Sequence, residues 1–117
     1  MTMNDVDNHI NYIEFKSTDL KATKQFYSTC FDWQFTDYGP AYTSFEGAGI
    51  AGGFEFTPER ITNGVLVVIA NEDLPATKQK VIDSGGVLTV DIFSFPGGKR
   101  FQFSDPSGNE LGVWSEE

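Results

Sequence analysis

The 117 residues are the length of one domain, and 39% hydrophobic content with 11 Phe, 4 Tyr and 2 Trp is enough for a packed core, which excludes a disordered chain. Eight basic residues against 17 acidic ones leave a formal charge of −9, which argues against a surface that neutralises nucleic-acid phosphates or docks on anionic lipid. One cysteine, Cys30, leaves no intrachain disulfide, and the longest apolar run, Val65 to Ala70, is far too short to span a bilayer.

The opening MTMNDVDNH has no basic n-region and no apolar stretch, so it reads as a short polar arm and not as a secretory signal. A cytoplasmic protein is expected. His9 to Lys16 is a β-rich run, followed by the polar break Ser17-Thr18-Asp19. Asp19 can cap a helix by accepting from the orphan N–H groups of its first turn. The helix predicted over 19–31 carries Leu20, Thr23, Tyr27 and Cys30 on one face. Strands are predicted at Trp33 to Tyr38, Ala41 to Glu46 and Ile50 to Phe56, separated by Gly39-Pro40 and Gly47-Ala48-Gly49.

The pattern then starts again. Asp19-Leu20-Lys21-Ala22-Thr23-Lys24-Gln25 recurs as Asp73-Leu74-Pro75-Ala76-Thr77-Lys78-Gln79, with only Lys21 replaced by Pro75. The β-rich run Gly64 to Ala70 precedes it. A helix is predicted over 73–84, with Pro75 in the first turn and Gly85-Gly86 at its end. Strands follow at Val87 to Phe93, Lys99 to Ser104 and Glu110 to Ser115. The reading is therefore an α+β fold of two βαβββ modules in one domain, residues 1–117. Module one covers about 9–57, module two about 63–117, and Thr57 to Asn63 is the linker.

Several pieces, in this order, resemble the vicinal oxygen chelate superfamily of glyoxalase I, bleomycin-resistance proteins and extradiol dioxygenases. They are Phe26-Tyr27 with Cys30-Phe31-Asp32-Trp33, then Ile50-Ala51-Gly52-Gly53-Phe54, Gly85-Gly86, and Asp105-Pro106-Ser107-Gly108-Asn109. The resemblance covers about residues 9 to 116. It implies that the modules are related by a pseudo-twofold and form a concave mixed sheet around a ligand cavity. It also implies a homodimer.

Metal-using members of that superfamily carry His or Glu at four strand positions. Carried over by spacing from Asp19, Asp73 and Asp105, these positions are Tyr12, Leu66, Gly112, and Gly52 or Gly53. Leucine and glycine side chains have no lone pair to offer a dication that prefers carboxylate or imidazole. No metal and no other cofactor is expected. His9, the one histidine, begins the first strand beside an acidic arm and reads as solvent-exposed.

Strand alternation places Tyr12, Glu14 and Lys16, with Leu66, Val68 and Ala70, on the cavity side, and Ile13, Phe15, Val67 and Ile69 against the helices. Apolar walls with a few polar handles suit a small-molecule pocket. The candidate ligand-binding residues are Tyr12, Glu14, Leu66, Val68 and Arg100. Glu14 could act as a general base or could pair with a cation such as Arg100 and orient the site. Tyr12 could donate to a ligand oxygen or pack as an aromatic, and Arg100 could clamp an anion or lie on the surface. Tyr42, Phe54 and Trp114 are rim or core aromatics. Cys30, on the inward helix face with no His partner, reads as a small core hydrophobe.

No nucleophile elbow of the G-x-S-x-G type occurs, and the glycines at 47–53 neither follow a parallel strand nor open a helix as a dinucleotide loop would. The functional expectation is a metal-free protein that binds a small, partly apolar molecule. A lyase, isomerase or dioxygenase of the same superfamily is the alternative, and a protein–protein module the third reading.

Overall fold

The structure, a computed structural model, describes residues 7–116. Most of the polar arm expected at the start lies outside the described residues; His9 lies within them and is exposed. The chain divides into two compact units. The N-terminal unit is Tyr12–Leu66; the C-terminal unit runs from Val67 and includes the described residues up to Asn11. Among the described residues the order of elements is β1 (Ile10–Ser17), α1 (Leu20–Phe31), β2 (Gln34–Asp37), β3 (Tyr42–Glu46), β4 (Ala51–Phe56), β5 (Val65–Ala70), α2 (Leu74–Asp83), β6 (Val87–Phe95), β7 (Gly98–Ser104) and β8 (Glu110–Glu116). This is the α+β, twice-βαβββ order that the repeat predicts.

In the N-terminal unit the strands lie in the order β2-β3-β4-β1, with β1 parallel to β4 and the other pairs antiparallel. A parallel pair cannot be joined by a tight turn, so the chain between β1 and β4 has room for α1. Asp19 caps that helix, accepting from the N–H of Ala22 at 3.0 Å. The helix ends on Asp32, whose φ of 59° is left-handed. Tyr27 stacks on Trp33, ring centroids 4.7 Å apart, and reaches Phe54 of β4 at 5.4 Å. Phe15 stacks on Phe54 at 5.3 Å, so the odd-numbered residues of β1 face the helix side as alternation predicts.

Cys30 does not behave as expected. It is exposed, and no residue of α1 is fully buried. Leu20, Thr23 and Tyr27 of that face are half-buried, Tyr27 against Trp33, whereas Cys30 lies beyond them in the last turn and is open to solvent.

The C-terminal unit repeats the plan, in the order β5-β8-β7-β6 with β5 parallel to β8. Asp73 caps α2 through the N–H of Ala76 at 3.1 Å, Pro75 lies in the first turn, and Gly85 follows the helix with φ 99°. Buried Leu74, Phe101 and Val113 form the core, with Ile69, Val81, Leu88, Ile92 and Phe103 packed around them. Two register shifts in β6, between Leu88 and Val90 and between Val90 and Phe93, turn Val90 out to solvent between Leu88 and Ile92, which both join this core. β6 runs on to Phe95, beyond the Phe93 end predicted for that strand.

The repeat also extends to an ion pair. Lys24 of α1 reaches Asp37 of β2 at 2.9 Å, and Lys78 of α2 reaches Asp91 of β6 at 2.8 Å. Both partners are displaced along the chain by the interval that separates Asp19 from Asp73. Each lysine holds its aspartate below the ordinary carboxylate range, helped at Asp37 by Thr43 and at Asp91 by the Ile92 N–H.

Candidate functional site

The site on the N-terminal unit is the sheet face turned away from α1. Register puts Tyr12 opposite Ala51, Glu14 opposite Gly53, and Lys16 opposite Glu55. On β3, Ser44 lies opposite Gly53 and Tyr42 opposite Glu55. Tyr12 is buried, whereas Glu14 and Tyr42 are half-buried. The Tyr42 ring leans over Gly53: a Cβ on that glycine would come within 2.7 Å of Tyr42 Cζ and of the Thr43 carbonyl oxygen. The Tyr42 hydroxyl bonds the Tyr12 hydroxyl and also Glu14. An ionised carboxylate can only accept, so Tyr42 donates to Glu14 and Tyr12 donates to Tyr42. Burial, followed by the negative charge of Glu14, raises the Tyr42 phenol well above its ordinary 10.0.

On the C-terminal unit the matching face carries Val68 and Ala70 of β5, opposite Gly112 and Trp114 of β8. Gln102 and Arg100 of β7 continue those two rows. Arg100 is half-buried, with its guanidinium carbon 5.3 Å from the centre of the Phe93 ring and 5.9 Å from that of Phe95. Stacking of this kind fixes the guanidinium plane, so Arg100 is not a freely solvated surface arginine. Glu110 accepts from Thr89 at 2.7 Å and from Gln102 at 3.2 Å. Trp114 is buried and donates its indole N–H to Asn11 at 2.8 Å.

The registers also decide between Gly52 and Gly53. Glu14 and Val68 are equivalent in the repeat, as Asp19 and Asp73 are; Glu14 stands opposite Gly53, and Val68 opposite Gly112. Gly53 is thus the counterpart of Gly112, while Gly52 faces the helix side, where the Phe45 ring covers it. The four positions are Tyr12, Gly53, Leu66 and Gly112. Only Tyr12 carries a donor side chain, and its phenol is already engaged by Tyr42. Among the described residues no group of three or more His, Cys, Asp and Glu is placed to hold a metal ion. These side chains do not fit the divalent metal that the superfamily resemblance implies for its metal-using members.

A profile of the Glyoxalase/Bleomycin resistance protein/Dioxygenase superfamily matches residues 9–113. The chain belongs to this superfamily. It is 30% identical over 115 residues to CFP32 of Mycobacterium tuberculosis, provisionally named a glyoxylase, covering 89% of this chain and 44% of that protein. The chain thus spans less than half the length of the curated relatives it matches. Among solved structures it is similar to BH1468 of Bacillus halodurans, a hypothetical protein, with TM-score 0.75 and 11% identity over 94% of this chain and 95% of that one. It is also similar to the Mn(II)-bound glyoxalase of Novosphingobium aromaticivorans (TM-score 0.69, 21% identity, 93% of this chain and 39% of that one). A third is the methylmalonyl-CoA epimerase of Mycobacterium tuberculosis (TM-score 0.70, 10% identity, 100% of this chain and 93% of that one). At these identities the structures share the superfamily fold.

Of the residues singled out in the sequence, Tyr12 and Glu14 are brought together through Tyr42. Val68 and Arg100 lie on one face of the C-terminal unit, Val68 in the row of Gly112 and Gln102 and Arg100 in the adjacent row of Trp114 and Ala70. Leu66 is the last residue of the N-terminal unit and is half-buried. Sequence reasoning left out Tyr42 as a binding residue, together with the Glu110–Gln102–Thr89 group. The alternation of β3 against a bare glycine pair on β4, and of Glu110 with Gly112 and Trp114 on β8, is the signal that could have found them.

Proposed function

We propose that this superfamily member binds a small, partly apolar molecule without a metal ion, its two modules acting as one domain in the cytoplasm and pairing as a homodimer. Tyr12, Glu14, Leu66, Val68 and Arg100 contact the ligand in this reading. The observation that carries it is the donor set at the four strand positions: Tyr12, Gly53, Leu66 and Gly112 replace ligating side chains with a bonded phenol, an alkyl group and two hydrogens. What remains is, on the N-terminal unit, Leu66 and a hydrogen-bonded carboxylate–phenol group and, on the C-terminal unit, Val68 and a ring-stacked arginine suited to an anionic substituent. Native mass spectrometry of purified protein tests it. A co-purified organic molecule, released on denaturation and reduced by Arg100→Met or Leu66→Asp, supports the reading; protein that never retains or binds an organic ligand contradicts it.

A second reading, an enzyme of the superfamily such as a lyase, isomerase or dioxygenase, is favoured by one observation. Glu14 lies within hydrogen-bond reach of a phenol on a half-buried face, an arrangement that can move a proton at a carbon next to a carbonyl. The glyoxalase and the epimerase among the similar structures agree with that class of chemistry. Glu14→Gln separates the two: a binding protein loses ligand affinity, whereas an acid–base enzyme loses turnover while keeping affinity.

A further inference from the structure

The face of the N-terminal unit has a floor that β4 leaves bare and β3 covers. Gly53 contributes no side chain, and the space above it is taken by the ring of Tyr42, whose Cζ would stand 2.7 Å from any Cβ placed there. The neighbouring strand residue, Glu14, is opposite Gly53 and holds the far end of that ring through its hydroxyl, and Tyr12 holds the same hydroxyl from β1. A phenol supplied by the chain is therefore seated in a position with an aromatic-sized opening, a carboxylate acceptor and a phenolic donor. These are the groups that would recognise an aryl alcohol.

We propose that Tyr42 is the specificity-determining residue of this face: its phenol fills a built phenol position over Gly53 and keeps ligand rings out of it. The proposal rests on reading the face as a ligand site. It adds that the ligand of the intact protein lies above Tyr42 and that removing the ring uncovers a second position with a stated preference. A residue smaller than tyrosine at 42 would admit a free phenol, held as the Tyr42 hydroxyl is held now.

The test uses 4-fluorophenol and fluorobenzene as probes, read by fluorine NMR on the full chain. Tyr42→Ala should bind 4-fluorophenol roughly tenfold or more tightly than fluorobenzene, the factor expected of a hydrogen bond to a charged group. Adding Glu14→Gln to that variant should shrink the preference, and the unsubstituted protein should take neither probe at this position. Equal binding of both probes by Tyr42→Ala, or equal binding of 4-fluorophenol with and without Tyr42, overturns the proposal. If Tyr42→Ala does not fold, Tyr42→Leu replaces it with the same expected preference. The seat is also read in the unsubstituted chain, where the Tyr42 ¹³Cζ resonance should move on both Glu14→Gln and Tyr12→Phe. A resonance indifferent to both overturns the seat. Because the probes are supplied, the absence of a co-purified ligand would count against the proposed function and leave this result standing on its own.

Discussion

The hydroxyl of Tyr42 is bonded to the hydroxyl of Tyr12, thirty residues away in the chain, and the contact is made possible by the missing side chain of Gly53. With Glu14 as terminal acceptor, both phenolic protons point inward along one chain of hydrogen bonds. The Tyr42 proton is therefore retained at a pH where exposed phenols lose theirs. In an ultraviolet titration the Tyr42 phenol should ionise later than an exposed tyrosine does, and Tyr42→Phe should remove that late component. The same shift fixes a stability trend. The contribution is full below the phenol's ordinary 10.0 and falls as pH rises beyond it, because the unfolded chain can release a proton that the folded chain retains.

Gly53→Ala tests the close approach directly. The added methyl would meet the Thr43 backbone oxygen as well as the Tyr42 ring, and backbone cannot move aside as a side-chain tip can. Denaturant unfolding should show a loss of about 1–3 kcal/mol, the usual cost of overpacking. Gly39→Ala, where the Cβ meets nothing within 4 Å but φ is +77°, should show only the smaller cost of a left-handed backbone.

Phe101 is completely buried at the centre of the C-terminal core, whereas Phe15 is half-buried beside Phe54. Phe101→Ala should cost about 3–5 kcal/mol and Phe15→Ala about 2 kcal/mol, in proportion to the area and packing each removes. The ordering of the two unfolding midpoints is the check. A silent Phe15→Ala together with an unfolded Glu14→Gln would mean that the two faces of β1 are exchanged.

The repeated ion pairs predict matching acid titrations. Asp37 and Asp91 lie below the ordinary 3.8, with the lysine bond as the largest cause in each. A carboxylate with a depressed folded value lends stability above its unfolded value, and this is lost as pH falls through the folded one. Carboxyl NMR should find both midpoints under 3.8, and Lys24→Met and Lys78→Met should each raise only their own partner's. Both aspartates are at the surface, where an ion pair contributes little and salt screens it.

The duplication was legible because it is written in local signals. A capping Asp, an apolar strand before it and glycine turns after it occur around Asp19 and again around Asp73, and each signal acts over a short stretch of chain. The phase of β1, with Tyr12 and Glu14 on one face and Phe15 on the other, was also legible, since alternation along one strand needs nothing more. Tyr42 was not, because its place depends on the register of β3 against β4 and on a glycine in the neighbouring strand. Cys30 was misplaced for a related reason: helical spacing gives the face, but not how far along the helix the covered part of that face extends.

The proposed metal-free binding rests on side chains without metal donors at Gly53, Leu66 and Gly112 and on a Tyr12 phenol already bonded to Tyr42. Its most direct test is the metal content of protein incubated with excess Mn(II), Zn(II), Ni(II) or Fe(II), then passed through gel filtration and assayed by elemental analysis. Retention well below one equivalent for every ion, unchanged by Glu14→Gln or Tyr12→Phe, is the expected result. One equivalent of any of them, lost on either substitution, would contradict the account and make the site a metal centre.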